Sequence, residues 1–432
     1  MATDLEITAK ERGIKYFLVS YTDLFGTQRA KLVPASKIKT CCEDGAGFAG
    51  FATWLDMSPA DSDLLAVPDP DGLIQLPWKP EVGWLPADLY MDGKPVEQGP
   101  RNILKRLMKE AARDGYQMKT GVEPEFFLIT PCGSEPADMA DKQMKPCYDQ
   151  SALMRRYDVI AEICDAMIAL GWNPYQNDHE DANGQFEMNW DYDDALVTAD
   201  RHAFFKYMTR SIAEKHGFRA TFMPKPFLDL TGSGCHAHVS LWRDGENVFK
   251  DKSDEIGLSR IGYHFIGGLI HSADALAAIT NPTVNSYKRI NAPRTTSGAT
   301  WAPNTVTYTG NNRTHMVRVP GGGRFEFRLP DGAVNPYLLQ AGILAAGLDG
   351  MRQERDPGKR LDINMYTDGH SLEGVKRLPL NMLDAMRALE NSSVLNEAFG
   401  SFVPSYLKLK QDEWNGYCGH LTEWERDNTL DC

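Results

Sequence analysis

The chain has 432 residues, 42% apolar and 24% charged, a size and composition typical of a globular protein with two or three domains. Its net charge of −13 argues against DNA or an anionic membrane as a partner, although ATP stays compatible because bound Mg²⁺ reverses the local sign. No apolar run could span a bilayer, the N-terminus lacks a signal-peptide pattern, and the eight cysteines form no CxxC pair. We therefore expect a cytoplasmic protein with reduced thiols.

Residues 1–98 are predicted to form a small β domain. A helix over roughly the first thirteen residues precedes a hairpin at 14–33, in which IKYFLVSYTD and QRAKLVP flank a turn at Leu24-Phe25-Gly26-Thr27. The Gly-rich stretch 45–63 has the composition of a loop. Short strands broken by proline follow in LLAVPDPDGLIQLPW.

Residues 99–432 are predicted to form a larger α+β domain. Apolar residues recur at helical spacing from Pro100 until Gly115. A second helix is expected from a Ser151 cap to Gly171, and further helices at 198–216 and 258–279. Strands between them carry the polar side chains that point to function.

Three apolar segments carry charged or polar residues two positions apart. They are Glu123 and Glu125 in GVEPEFFLI, His236, His238 and Ser240 in GSGCHAHVSLW, and Arg324, Glu326 and Arg328 in GGGRFEFRLPD. Side chains two apart in a strand point to the same face of the sheet. Each segment is therefore predicted to present polar groups on one face and apolar groups on the other.

A further acidic segment is HEDANGQFE, which contains Glu180 and Glu187, with Asp178 two residues earlier. Asn183-Gly184 is a hairpin turn signal that brings the two glutamates back toward one place. Gathered carboxylates repel one another unless cations lie among them, and imidazole and carboxylate suit divalent metals. The pattern predicts a metal site that also binds phosphate.

Arginines are concentrated between residues 289 and 328, where Glu326 is the single acid. They include Arg289, Arg313, Arg318, Arg324 and Arg328. Guanidinium forks bind carboxylates and phosphates in bidentate fashion. An array with so few acids beside it favours an anionic ligand over surface ion pairs.

These segments resemble the glutamine synthetase family in order, spacing and identity. The shared motifs are EPEFFL, HE-x6-E, TFMPKP, GSG-x-HxHxSLW, NPTxNSYKR, NR-x4-RxP, R-x-ExRxPD and NPYL-x6-AAGLDG. The resemblance covers most of the chain. It implies an N-terminal β-grasp domain, then a catalytic domain with a curved antiparallel sheet and flanking helices.

The resemblance also implies roles for individual residues. One Mg²⁺ or Mn²⁺ ion would be held by Glu125, Glu180 and Glu187, and another by Glu123, His236 and Glu326. ATP would contact Tyr192, His238, Ser240, Arg313, Arg318 and Arg324, with Arg313 and Glu187 also acting in catalysis. L-glutamate would be held by Gly232, Arg289 and Arg328. The family further implies a homo-oligomer, expected to be a dodecamer of two hexameric rings whose sites are shared between adjacent subunits.

Two departures from the family pattern concern the amine. The family's ammonium-binding segment typically reads FDGSS, whereas this chain has Phe48-Ala49-Gly50-Phe51-Ala52, so we expect Ala49 and Phe51 to line a less polar pocket. The family's flap carries a glutamate six residues after the position of Arg289. Here that position is Thr295, and no acid occurs between Lys288 and Phe325.

Loss of two acids should weaken capture of ammonium and favour an N-alkyl group, since a buried methyl contributes about 0.8 kcal/mol. The expected activity is ATP-dependent ligation of methylamine to the γ-carboxylate of L-glutamate, with ammonia or ethylamine as alternatives. Asp178 is the candidate base for the amine, or else a partner of the metal ligands. A metallohydrolase and a non-catalytic relative are the rival classes.

Overall fold

The computed structural model describes residues 4–432, and its N-terminal part is a seven-stranded sheet. The strands are β1 (Tyr16–Thr22), β2 (Gln28–Pro34), β3 (Ala46–Phe48), β4 (Leu64–Pro68), β5 (Ile74–Gln75), β6 (Val82–Met91) and β7 (Lys94–Pro95). The central order is β2-β1-β6-β4-β3, with β5 and β7 also paired to β6. Two helices, α1 (Leu5–Arg12) and α2 (Ile38–Asp44), accompany this sheet.

The predicted hairpin is confirmed, because β1 and β2 pair antiparallel with Thr22 opposite Gln28. β1 also pairs in parallel with β6, a strand that the sequence did not reveal. The prediction of a loop across 45–63 was partly wrong, since β3 lies within it. β3 exists through its pairing with β4, and local glycine content cannot show such a contact.

The second sheet has ten strands. They are β8 (Gln117–Ile129), β9 (Gln176–His179), β10 (Gln185–Asn189), β11 (Asp193–Asp194), β12 (Arg219–Thr221), β13 (Cys235–Arg243), β14 (Glu246–Asn247), β15 (Tyr308–Thr309), β16 (Val317–Gly321) and β17 (Arg324–Phe327). The central order is β15-β16-β17-β13-β8-β10-β9. All pairs are antiparallel except β15 with β16, which run parallel.

Helices flank the second sheet and form the C-terminal part. They are α3 (Pro100–Arg113), α4 (Gln150–Arg155), α5 (Tyr157–Ala169), α6 (Ala195–Lys215), α7 (Arg260–Thr280), α8 (Ser286–Ile290), α9 (Pro336–Arg352), α10 (Met382–Glu390), α11 (Ser393–Phe399), α12 (Phe402–Cys418) and α13 (Glu423–Thr429). The α7 and α9 backbones touch: a Cβ on Gly268 would lie 1.9 Å from the Ala346 carbonyl oxygen. The predicted α+β class is confirmed.

The helix expected from Ser151 to Gly171 is instead two helices. The cap is Asp149, whose Oδ1 accepts from the Ala152 N–H at 2.8 Å, and the break falls at Arg156. Similarly, Asp194 caps α6, so that helix begins three residues earlier than predicted. In both places an aspartate whose side chain accepts from a backbone N–H marks the helix start.

A buried ion-pair cluster joins the first sheet to the helices. Arg101 of α3 is 4% exposed and bonds Asp200 of α6 and Asp88 of β6, the latter at 2.6 Å. It also bonds Asp69, just after β4, at 2.9 Å. Such a fully paired guanidinium fixes the placement of the elements that carry the acids.

Two bulk predictions can be compared with the structure. No helix within residues 4–432 is long and apolar enough to cross a membrane. All eight cysteines are free, as expected for reduced thiols.

Candidate active site

The predicted polar strand faces meet in the middle of the ten-stranded sheet. His236 of β13 lies opposite Glu123 of β8, and Glu187 of β10 lies opposite Glu125 of β8. The hairpin predicted around Asn183-Gly184 is confirmed as the β9–β10 pair. Opposed residues in antiparallel strands have Cβ atoms about 5 Å apart, so register alone gathers these groups.

The six predicted metal ligands and Asp178 form three overlapping groups in which ligand atoms lie within 4.8 Å of one another. The groups are Glu123 with His236 and Glu326, Glu125 with Glu187 and His236, and Asp178 with Glu180 and Glu187. The first coincides with one of the two sets that the family resemblance implies. The members of the other set are divided between two groups, and Glu187 belongs to both.

The acids of the β9–β10 hairpin, Asp178, Glu180 and Glu187, are surrounded by other carboxylates that oppose their ionisation. Burial, then the neighbouring carboxylate of Glu125, raises the pKa of Glu180 well above its usual value. Burial, then Glu123, does the same to the pKa of Glu187. Burial and Glu125 raise the pKa of Asp178 to about 6. Without cations, these acids are stabilised by taking up protons.

The acids on the β13–β17 side have cationic neighbours. Burial opposes ionisation of Glu123, but His238 and His236 hold its pKa well below the usual range. Burial likewise opposes ionisation of Glu326, yet Arg328 lowers its pKa to about 2. Burial, followed by Arg328, lowers the pKa of His236, which favours the neutral imidazole form that binds metals.

The donor set fits divalent cations. His236 Nε2 and Asp178 Oδ1 are buried and have no hydrogen-bond partner anywhere in the described chain. Buried polar atoms are normally paired, so these two lack a partner that a metal ion would supply. The chemistry is carboxylate-rich with one or two imidazoles, which suits Mg²⁺ or Mn²⁺.

Glu326 has more partners than the sequence suggested. Arg318 Nη1 donates to Glu326 Oε2 at 2.8 Å, and Arg328 Nη1 donates to Oε1 of the same carboxylate. Two of the predicted arginines therefore pair with Glu326, the single acid that the sequence places among them. The pairing arises because Arg318 of β16 lies directly opposite Glu326 of β17.

All six residues predicted to contact ATP line one cavity of about 490 Å³ beside the acids. They are Tyr192, His238, Ser240, Arg313, Arg318 and Arg324. The cavity also contains Tyr175 and Trp242, and its size suits a nucleotide-sized ligand. Arg324 Nε lies 3.3 Å from His238 Nδ1, whose Nε2 is 2.9 Å from Glu123, so the cavity reaches the first acid group.

The residues predicted to hold glutamate adjoin the same acids. A Cβ on Gly232 would lie 2.3 Å from the Pro224 carbonyl oxygen, so no side chain fits there. Arg289 is fully buried and its Nη1 donates to the Leu329 carbonyl at 3.0 Å. A Cβ on Gly234 would lie within 3.0 Å of Arg289 Nη2 and Glu125 Oε1, which shows how closely the loop approaches both groups.

Sequence reasoning missed two amides that hold the acids. Gln185 Nε2 donates to Glu125 Oε2 at 2.8 Å and to the Gly232 carbonyl at 3.2 Å. Asn189 Nδ2 donates to Glu187 Oε1 at 2.9 Å. The period-two spacing of Gln185, Glu187 and Asn189 in one strand was the signal that could have identified them.

The flap without acids is tied to an acid elsewhere. Ser297 Oγ donates to Asp181 Oδ2, and Thr231 Oγ1 donates to the same oxygen at 2.7 Å. The Thr296 N–H donates to the Asp229 carbonyl at 2.8 Å, and Thr295 is buried. Asp181, at the β9–β10 turn, was not singled out from the sequence because its contact with the flap is long-range.

Ala49 and Phe51 follow β3 and are exposed, with 51% of Phe51 accessible. Neither lines the 490 Å³ cavity, whose walls come from residue 119 onward. Within one chain, they are not gathered with the other predicted site residues. Their predicted amine-binding role depends on a neighbouring subunit and stays a prediction.

Buried acids, imidazoles and arginines around one cavity are typical of enzymes that transfer phosphoryl groups with divalent metals. Residues 97–429 match the family model described as "Glutamine synthetase, catalytic domain". The chain belongs to the glutamine synthetase family of ligases, as the motifs predicted.

Several relatives cover essentially the whole chain. A protein of Rhizobium leguminosarum bv. phaseoli named glutamine synthetase is 67% identical, over 100% of both chains. A glutamate–methylamine ligase of Methyloversatilis universalis is 42% identical, over 98% of this chain and 97% of that protein. The solved structure named "GmaS/ADP complex-Conformation 1" is 64% identical, with a TM-score of 0.97 over 100% of both chains.

Proposed function

We propose that this protein joins methylamine to the γ-carboxylate of L-glutamate at the expense of ATP, giving γ-glutamylmethylamide, ADP and phosphate. The observation that carries the proposal is the flap at 290–301, which contains no acid and is bound through Ser297 to Asp181, the residue after Glu180 of the acid groups. Family members that capture ammonium are expected to use such an acid. The glutamate–methylamine ligase and the GmaS (γ-glutamylmethylamide synthetase) structure support the same reading.

In this proposal, the residues of the three acid groups other than Asp178 would hold two or more divalent cations. They are Glu123, Glu125, Glu180, Glu187, His236 and Glu326. Bound Mg²⁺ or Mn²⁺ would supply charge neutralisation at the ATP phosphates. Because Arg318 and Arg328 already share Glu326, the chain's own guanidiniums contribute cationic charge to the same place.

The chemistry has two steps. The glutamate γ-carboxylate attacks the terminal phosphorus of ATP, releasing ADP and forming γ-glutamyl phosphate. Arg313, Arg318 and Arg324 line the cavity where phosphates would lie, and they stabilise the transferred group. The amine nitrogen then attacks the acyl carbon and expels phosphate. The flap excludes water, which would otherwise hydrolyse the intermediate.

Methylammonium must lose a proton before it can attack, and we assign that proton to Asp178. Its carboxylate lies in one acid group with Glu180 and Glu187, and its buried Oδ1 has no hydrogen-bond partner in the described chain. Glutamate would be held by Arg289, Arg328 and the backbone at Gly232, where a side chain would clash with the Pro224 carbonyl and with Arg289. Ala49 and Phe51 of an adjacent subunit would supply the apolar wall beside the amine.

Ammonia is the second candidate substrate, because the 67% and 66% identical rhizobial relatives are both named glutamine synthetase. The test is ADP release with glutamate and, in separate assays, methylamine, ammonium or ethylamine. We expect kcat/KM to favour methylamine over ammonium by roughly 4-fold for one buried methyl and at most about 150-fold. A preference for ammonium would overturn the methylamine assignment, and ATP loss without amine would favour a hydrolase.

We also infer a β-grasp domain at 1–98, a catalytic domain at 99–432 and a cytoplasmic homo-oligomer. The exposure of Ala49 and Phe51 away from the cavity supports a site completed by a neighbour. Light scattering is expected to show twelve copies of the 48.3 kDa chain in two hexameric rings. A fully active monomer would contradict this assembly.

A further inference from the structure

A second cavity, of about 580 Å³, lies between the β1–β2 turn and α6. Its polar walls include Gln28, Lys206, Arg210 and Asn285, and its apolar walls include Phe222 and Tyr207. Among the described residues that line it, none is Asp or Glu. A cationic, acid-free cavity is unexpected in a chain of net charge −13.

Lys206 is the most deeply placed cation of this cavity. It is 8% exposed, and its Nζ donates to the Val334 carbonyl at 2.9 Å. Within residues 4–432 no carboxylate lies within 4.0 Å of Nζ to form an ion pair. Burial lowers the pKa of Lys206 to about 8. An ammonium with one carbonyl acceptor is poorly compensated for its lost hydration.

Two further donors converge on the same space. Arg210 lies one helical turn after Lys206, with its guanidinium 5.2 Å from the Phe222 ring centroid. Glu214, one turn further on, is too distant to form an ion pair with it. Gln28 Nε2 is buried and has no hydrogen-bond partner in the described chain. The cavity therefore presents three hydrogen-bond donors, from Lys206, Arg210 and Gln28, and no carboxylate to accept from them. Such a set of donors suits a bound anion.

We propose that this cavity binds a small organic anion, whose carboxylate or phosphate group is held by Lys206, Arg210 and Gln28. Its apolar body would pack against Phe222 and Tyr207, as in most small-molecule pockets. The site is separate from the catalytic cavity, since the two share no lining residue.

The cavity wall is also the outer support of the loop at 232–234. Pro224 lines the cavity and its carbonyl accepts from the Ser233 N–H at 2.8 Å. Gly332, another lining residue, donates through its N–H to the Ser233 carbonyl at 3.2 Å. An anion bound in this cavity would therefore alter the affinity of the enzyme for glutamate. That effect rests on the proposed function, whereas binding of the anion does not.

The test is calorimetric titration of the full-length enzyme with inorganic phosphate and, separately, with succinate. ADP, Mg²⁺ and glutamate are present in excess to fill the catalytic site. We expect at least one anion to bind, and Arg210→Gln to weaken it at least ten-fold. Comparison of the two titrations distinguishes phosphate from carboxylate as the preferred group. Lys215→Gln, on the same helix but paired with Glu162, is the matched control and should bind as the wild type does.

Absence of binding to the wild type, including absence because a neighbouring subunit fills the cavity, would overturn the proposal. Equal affinity of wild type and Arg210→Gln would also overturn it, because the anion would then lie elsewhere. Lys206→Met should abolish binding. If that variant does not fold, Arg210→Gln still decides the matter, because the Arg210 side chain is exposed and its loss leaves no buried gap.

Discussion

Strands β1 and β8 both place residues two positions apart on one face of a sheet, but the residues on that face are apolar in β1 and acidic in β8. In β1 the buried face consists of Phe17, Val19 and Tyr21, and their burial stabilises the first sheet. In β8, Glu123 and Glu125 occupy one face at the same spacing, and Glu125 is only 6% exposed. Buried carboxylates destabilise the fold until cations arrive. These two strand faces therefore differ in their effect on stability, and substitutions at Phe17 and at the buried acids should change it in opposite directions.

The largest effect is expected for Glu187→Gln, in the second sheet. Because Glu187 belongs to two acid groups, its loss should lower kcat/KM by roughly 10³-fold, equivalent to several kcal/mol of charge stabilisation. The same change replaces a carboxyl whose burial opposes its ionisation with a neutral amide, so the metal-free protein should melt at a higher temperature. Steady-state kinetics and calorimetry in EDTA measure the two effects.

Glu246→Gln is the control for that prediction, because Glu246 is exposed on β14 of the same sheet. Glu246→Gln should change neither kcat/KM nor the melting temperature of the metal-free protein. A Glu187→Gln enzyme that keeps its activity, or melts lower without metal, would remove the contrast between the sheets.

The second prediction concerns the first sheet. Phe17→Ala should lower the free energy of unfolding by about 3–5 kcal/mol, because Phe17 is fully buried in the core. Urea denaturation measures the loss, and the enzyme that remains folded should keep its kcat. Leu32→Ala on β2 is the matched control, since Leu32 is 55% exposed and should cost less than about 0.5 kcal/mol. A loss of less than about 1 kcal/mol in Phe17→Ala would show that the core of the first sheet contributes little to the free energy of unfolding.

The third prediction separates the two chemical steps. Asp178→Asn should reduce methylamine turnover about 10²-fold by removing the base, while the first burst of ADP persists. Rapid-quench measurement of ADP and of product formation distinguishes these steps. Unchanged methylamine turnover would exclude Asp178 as the base and leave it as a partner of the metal ligands.

The smallest effect is expected in the flap. Ser297→Ala removes a hydroxyl that donates to Asp181, at a cost of about 1 kcal/mol, so amine-independent ADP release should rise roughly 5-fold. Ser253→Ala is the matched control, because Ser253 also donates to an aspartate, Asp251 at 2.7 Å, but in an exposed turn. Equal rates of amine-independent ADP release in the two variants would mean that the contact with Asp181 does not hold the flap in place.

Much of the site could be predicted because its residues follow local periodicity. Spacing of two placed Glu123, His236 and their neighbours on shared strand faces, and Asn183-Gly184 predicted the hairpin that returns Glu187 to Glu180. What could not be predicted depended on partners distant in the chain. The Asp181 contact with Ser297 spans 116 residues, and β3 formed only through pairing.

The sequence by itself determined the α+β class, the family, the polar strand faces and the identity of the acids, imidazoles and arginines. Such features are encoded by side-chain type and by spacing along one element. Only the tertiary structure decided that Glu187 is shared by two acid groups, that Arg318 and Arg328 both bind Glu326, and that Lys206 is buried without an acid. Those facts depend on register, packing and burial between elements, and elements far apart in the chain meet only when the protein folds.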